Sequence, residues 1–101
     1  MLDNLQSCAI SYSAHALIKM AQRNISKELI ESSIHDKRKF IIAKENLEKL
    51  NFEILFKKSS KYRLKVVVAQ TSANELKVIT AHIMNRKKWQ KTVKLWPKMP
   101  R

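Results

Sequence analysis

The chain contains no glycine, only two prolines and a single cysteine, and each shortage narrows what it can be. Without glycine there is no glycine-rich loop to cradle a nucleotide phosphate. Tight turns must be built from Asn, Ser, Asp or Lys. Both prolines, Pro97 and Pro100, fall in the last five residues. The lone Cys8 excludes an internal disulfide and suits a reducing compartment. No apolar run is long enough to cross a membrane, and the start of the chain lacks the basic-then-apolar layout of a signal peptide. A cytoplasmic protein without a membrane partner is therefore expected. Three scattered histidines and one cysteine form no zinc pattern, and no Ser–His–Asp arrangement stands out. Acids are too few in the strand-like segments for a carboxylate-based metal nuclease. No metal and no cofactor is expected.

What the chain has in abundance is positive charge. Its 101 residues carry a net +13, with a pI of about 10.2, which points to an anionic partner. The charge is uneven. Residues 1–36 hold three cations (Lys19, Arg23, Lys27) against four acids, whereas residues 37–101 hold 18 cations against four acids. Seven of those cations lie in 86–101 with no acid among them. The competing explanation is a solvated surface that keeps the protein soluble. With 45% hydrophobic residues the chain can bury one modest core. A single domain over 1–101 is expected, with its core at about 12–90 and a basic tail over 91–101.

Hydrophobic periodicity predicts helices over 14–23 and 27–35, and strands over 39–43, 52–57, 62–70 and 76–84. Residues 1–11 read as a loose lead-in, and 44–51 as a polar connector with a possible helical turn. Residues 85–94 add a short basic helix, and 95–101 an irregular tail. Two helices followed by four strands, the last three joined by short polar connectors suited to hairpins, indicate an α+β fold. In the first helix, Ala14, Leu17 and Ala21, with Ile18 beside them, form the expected apolar face. Period two places Tyr62 with Leu64, Val66 and Val68 toward the core. Lys57, Arg63, Lys65, Thr80 and His82 then fall on an open face. The last strand is ambiguous, since Ile79, Ala81 and Ile83 oppose a second apolar set, Leu76, Val78 and Met84.

The segment SAHALIKMAQRNIS, residues 13–26, is the most specific. Ser13 suits an N-cap, Asn24 a left-handed C-terminal stop, Ile25 the apolar contact after it, and Ser26 the next N-cap. His15 lies in the first helical turn, where free amides favour anions. The residues Ser13, His15, Ala16, Met20, Arg23, Asn24, Ile25 and Ser26, together with the later LKVITAHI run over 76–83, resemble the family called domain of unknown function 4258. That family is grouped with ribonuclease toxins of the barnase–EndoU–colicin–RelE type. The resemblance implies a RelE- or barnase-like fold, two helices packed on a four-stranded antiparallel sheet, and metal-independent RNA cleavage. Asn24 stands where glycine is commoner and keeps the turn chemistry.

Cleavage of this kind needs a base for the 2′-hydroxyl proton and cations for the crowded phosphate. His15 and Arg23 are candidates through the motif; His82 and Thr80 are candidates through the open strand face. His15 is otherwise a surface histidine at a helix start, and Arg23 a residue pairing with a carboxylate at a helix end. His82 is otherwise a half-buried sheet histidine. Lys57, Lys58, Lys61, Arg63, Lys65, Arg86, Lys87 and Lys88 are candidate RNA contacts, or a solvated surface. Trp89 and Trp96 sit among basic residues, with Trp89 better suited to packing a terminal helix on the sheet. The expected activity is that of a small endoribonuclease of the toxin type, with RNA and an acidic antitoxin as partners. The alternatives are a non-catalytic RNA- or DNA-binding module and an interaction subunit for a protein partner.

Overall fold

A computed structural model describes residues 5–95 of the chain. It is an α+β fold whose strands form one five-stranded mixed sheet. The strands are β1 (Ala9–Tyr12), β2 (Phe40–Asn46), β3 (Asn51–Lys57), β4 (Arg63–Ser72) and β5 (Glu75–Met84), in the spatial order β1-β5-β4-β3-β2. Helices α1 (Ala14–Arg23) and α2 (Lys27–His35) follow β1, and α3 (Arg86–Leu95) follows β5. The residues over 96–101, including Trp96 and most of the expected irregular tail, lie outside the described residues.

The expected four antiparallel strands are present as β2 to β5, but a fifth strand precedes them. The lead-in is structured: Leu5–Ser7 form a 3-10 turn, and β1 pairs parallel to β5 with Ala9 opposite Glu75 and Tyr12 opposite Val78. Leu5 and Cys8 are buried. The polar connector is also different. β2 runs on to Asn46, and a four-residue turn leads into β3. In a chain without glycine, two of the described residues take positive φ: Asn24 (55°) and Leu50 (52°), the latter in that turn. Asn tolerates this conformation through its short polar side chain. Leu50 bears a steric cost of about 1–2 kcal/mol.

The helix ends follow their capping residues. The Ala16 amide donates to Ser13 Oγ at 2.9 Å and the Leu29 amide to Ser26 Oγ at 3.0 Å. Asn24 sits in the left-handed region, and the Ile25 amide returns to the Met20 carbonyl at 2.9 Å. This closure satisfies a carbonyl that would otherwise be orphaned and drives Ile25 into the core. The face of α1 is rotated from the expected one. Ala16 and Met20 are buried, while Ala14, Leu17, Ile18 and Ala21 are exposed. The reason is the partner surface: α1 lies along β5, and Ala16, having only a methyl group, permits close approach of the two backbones.

The core lies between this helical layer and one face of the sheet. Ile30 and Ile34 of α2 join Ile54 and Phe56 of β3, Leu64, Val66 and Val68 of β4, and Leu76, Val78 and Ala81 of β5. Ser33 is the one buried polar residue among those described, and its Oγ donates to the Leu29 carbonyl at 2.7 Å. His35, which the sequence left without a role, contacts the Cys8 carbonyl through Nε2 at 3.2 Å and ties the end of α2 to the start of β1. Tyr62 departs from the expected core set. β4 begins one residue later, and Tyr62 is 43% exposed in the β3–β4 turn, where its carbonyl receives the Lys58 and Ser59 amides.

Candidate active site

β1 stops at Tyr12, and α1 takes its place along β5. The hand-over is hydrogen-bonded: the Ser13 amide donates to the Val78 carbonyl at 2.9 Å, and Ser13 Oγ donates to the Ile79 carbonyl at 3.4 Å. Beyond this point no strand among the described residues lies on that side of β5 to receive its outward-facing polar groups. Ala16, Met20 and Arg23 recur at i, i+4 and i+7, so Arg23 ends the stripe that faces β5. Its Nη1 donates to the Ala81 carbonyl at 2.8 Å and to Thr80 Oγ1 at 3.1 Å, and stands 3.3 Å from His82 Nε2. A guanidinium only donates, so this contact requires Nε2 to be the unprotonated nitrogen of a neutral imidazole.

A break in the strand period aims these side chains. Val67 is paired with Thr80 but Val68 with Val78, leaving Ile79 as a bulge in β5. Before the bulge, Leu76 and Val78 face the core; after it, Ala81 does. Thr80 and His82 are thereby turned to the opposite face, alongside Lys65 and Val67. An unbroken period would have put Val78, Thr80 and His82 on one side. The two competing apolar sets of β5 are explained in the same way. Leu76 and Val78 belong to the core with Ala81, and Ile83 is 37% exposed. Bulges commonly re-aim a side chain beside a functional site in this manner.

The electrostatics of His82 follow from its surroundings. Burial lowers its pKa below the ordinary histidine value, and repulsion from Arg23, Lys65, Lys88 and Lys19 lowers it further. The helix α1 supplies Arg23 and Lys19, β4 supplies Lys65 and α3 supplies Lys88. Lys19 was not singled out from the sequence; its position one turn before Arg23 on the same helix was the available signal. Lys65 is itself held by Glu53 Oε1 at 2.8 Å, both side chains being largely covered.

The remaining candidates are spread around this group. His15 is exposed in the first turn of α1. It precedes Arg23 by eight residues, which is about 12 Å along a helix, so α1 does not bring the two motif residues together. Arg63 is engaged internally: its guanidinium lies 4.2 Å from the centre of the Trp89 ring, and Nη1 donates to the Ser59 and Tyr62 carbonyls at 2.6 and 3.2 Å. Trp89 packs α3 against the end of the sheet, as expected for it. Lys57, Lys58, Lys61, Arg86, Lys87 and Lys88 are exposed at the β3–β4 turn and the start of α3. Among the described residues, no three His, Cys, Asp or Glu side chains converge. No helix there is long and apolar enough to cross a membrane.

The family model described as Domain of unknown function (DUF4258) matches residues 12–83. The chain belongs to that family. The DUF4258 match opens on Tyr12 and closes on Ile83, so it contains Ser13, His15, Arg23, Thr80 and His82 and ends before α3. The Arg23–Thr80–His82 group thus lies wholly within the DUF4258 region, whereas Lys88 and Trp89 lie outside it. No curated protein and no solved structure matches the chain.

Proposed function

We propose that the chain is a metal-independent endoribonuclease whose reacting groups are His82 and Arg23. The observation that carries this reading is the convergence of the Arg23 guanidinium, Thr80 and a neutral His82 imidazole on one face of β5. In the proposed reaction the ribose 2′-hydroxyl attacks the adjacent phosphorus. As the Arg23 guanidinium turns from His82 Nε2 toward the phosphate, the 2′-hydroxyl proton passes to the freed Nε2 lone pair, the 2′-O–P bond forms and the P–O5′ bond breaks. The products are a 2′,3′-cyclic phosphate and a 5′-hydroxyl, the leaving oxygen taking a proton from water or from a second acid. Arg23, held by Thr80 and the Ala81 carbonyl, donates to the phosphate oxygens as their charge grows. A positioned base contributes typically 10²–10⁴-fold, and one preorganised donor about 10²–10³-fold.

The order of elements, two helices and then an antiparallel meander, supports a place in the barnase–EndoU–colicin–RelE group. The one-sided positive charge supports RNA as substrate and a small acidic antitoxin as partner in the cytoplasm. A non-catalytic RNA- or DNA-binding module is the second reading. It is favoured by the exposed cations, most of which cluster at the β3–β4 turn and α3 rather than around His82. Incubating the folded protein with unstructured RNA in EDTA at low salt tests the choice. Products ending in cyclic phosphate are expected, with His82→Ala and Arg23→Ala each slowing cleavage about a hundredfold or more. Intact RNA that is nevertheless bound would select the binding module.

A further inference from the structure

The β3–β4 turn is more tightly built than its exposure requires. The Lys61 and Tyr62 amides lie 3.3 and 3.2 Å from Ser59 Oγ, which accepts from both. The Lys58 and Ser59 amides donate to the Tyr62 carbonyl at 3.2 and 3.1 Å. Arg63, stacked on Trp89, donates to the Ser59 and Tyr62 carbonyls, and Trp89 Nε1 donates to the Lys61 carbonyl at 3.4 Å. Two chain segments far apart in sequence thus lock one short turn. What this turn presents is an exposed tyrosine ring, with the Lys58 ammonium 5.8 Å from its centre. Tyr62 lines an open groove of about 400 Å³ together with Ser60, Lys61, Asn85, Arg86 and Lys87. Asn85 caps α3, accepting the Lys88 amide at Oδ1 at 3.1 Å, so the first-turn end of that helix also borders the groove.

We infer that this groove is a subsite for single-stranded RNA, in which an unpaired base stacks on Tyr62 while the flanking phosphates lie on Lys61, Arg86 and Lys87. The inference rests on the proposed action on RNA and adds the strandedness of the substrate. A rigid aromatic ring beside clustered cations is what a single strand uses: every base has a π-face, and every linkage a negative charge. A duplex keeps its bases stacked on each other and offers only its phosphates. The turn is held by backbone bonds, by Ser59 Oγ and by Arg63 and Trp89, so loss of the Tyr62 ring removes its contact with Lys58 and leaves these bonds in place.

The test is binding, measured by fluorescence anisotropy with a labelled 12-nucleotide 2′-O-methyl RNA, which lacks the attacking hydroxyl, and with a blunt duplex of the same length. Tyr62→Ala is expected to weaken single-strand binding about ten- to a hundredfold, with duplex affinity within about twofold and an unchanged log–log salt slope. Tyr62→Phe is expected to retain the wild-type preference. Lys61→Gln, which removes a phosphate contact, is expected to weaken both ligands and flatten the slope. A Tyr62→Ala protein that binds the single strand like wild type, or loses both ligands equally, overturns the subsite and leaves the cleavage reading standing. Wild-type protein that shows the Tyr62-dependent preference but cuts no RNA supports the subsite and overturns cleavage. Absence of nucleic-acid affinity at low salt overturns both.

Discussion

The two faces of the sheet are built from the same strands and do different work. On one face Ile54, Phe56, Leu64, Val66 and Val68 are sealed under α1 and α2. On the other, Glu53, Lys65, Thr80 and His82 stand in alternate positions of the same strands and are partly open. Period two separates the faces on β3 and on β4 as far as Gln70, although Leu55, on the same side as Glu53 and Lys65, is fully buried. β5 needs a bulge at Ile79 to do both jobs, because it must give Leu76 and Val78 to the core at one end and Thr80 and His82 to the open face at the other. The lesson is that the apolar face supplies stability while the polar face is free to hold an arginine against a neutral histidine, an arrangement that would be costly inside the core.

The sharpest way to break this division is to damage the sealed face. Phe56 is fully buried and meets Phe40 edge-on with ring centres 6.3 Å apart. Phe56→Ala should cost about 3–5 kcal/mol of stability, a large share of what a domain of this size possesses. Urea unfolding would measure it. RNA affinity per folded molecule should stay near wild type, since no cation moves. A variant that loses RNA affinity while fully folded would show that the two faces are coupled.

The open face should instead announce itself through pH. Burial, Arg23, Lys65, Lys88 and Lys19 all hold the His82 pKa below its ordinary value near 6.5. The unfolded chain therefore binds this proton more readily than the folded one. The resulting stability is fully present above about pH 6.5 and is lost as pH falls through the lower folded-state value. The difference in stability between wild type and His82→Gln should accordingly shrink on acidification from pH 7.5 to 5. Cleavage should fall on the same acid limb, because a protonated His82 accepts no proton from the ribose. A wild-type minus His82→Gln difference that is flat with pH would mean that His82 is not held neutral.

Much of this division was legible in the chain because the relevant signals are local. Ser13, Asn24 and Ser26 set the ends of α1 and α2 through bonds three to five residues long, and those helices run over the expected spans. Alternation put Arg63, Lys65, Thr80 and His82 on one side before any contact was known. What was not legible depends on distant partners. β1 is four residues long and pairs with a strand 66 positions away, so nothing near it marks it as a strand. Arg23 reaches residues 57 to 59 positions along the chain, which no motif spacing reveals. Tyr62 alternates correctly for the core, yet the turn claims its carbonyl, and β4 begins only after it.

The least effect is expected where the apolar pattern and the fold disagree. Ala14, Leu17, Ile18 and Ala21 recur at helical spacing, but the rotation of a helix is set by what it packs against, and α1 turns Ala16 and Met20 toward β5 instead. Ile18 is 57% exposed, so replacing it removes little buried surface. Gln also has a slightly better helix propensity than the β-branched Ile. Ile18→Gln should therefore change stability by no more than about 0.5 kcal/mol, read as a shift in the urea midpoint at unchanged slope. Met20→Ala, two positions on but facing inward, belongs with the core substitutions. A loss of 2 kcal/mol or more in Ile18→Gln would mean that this stripe is covered in solution. Concentration dependence of the wild-type midpoint would then reveal whether a second copy of the chain covers it.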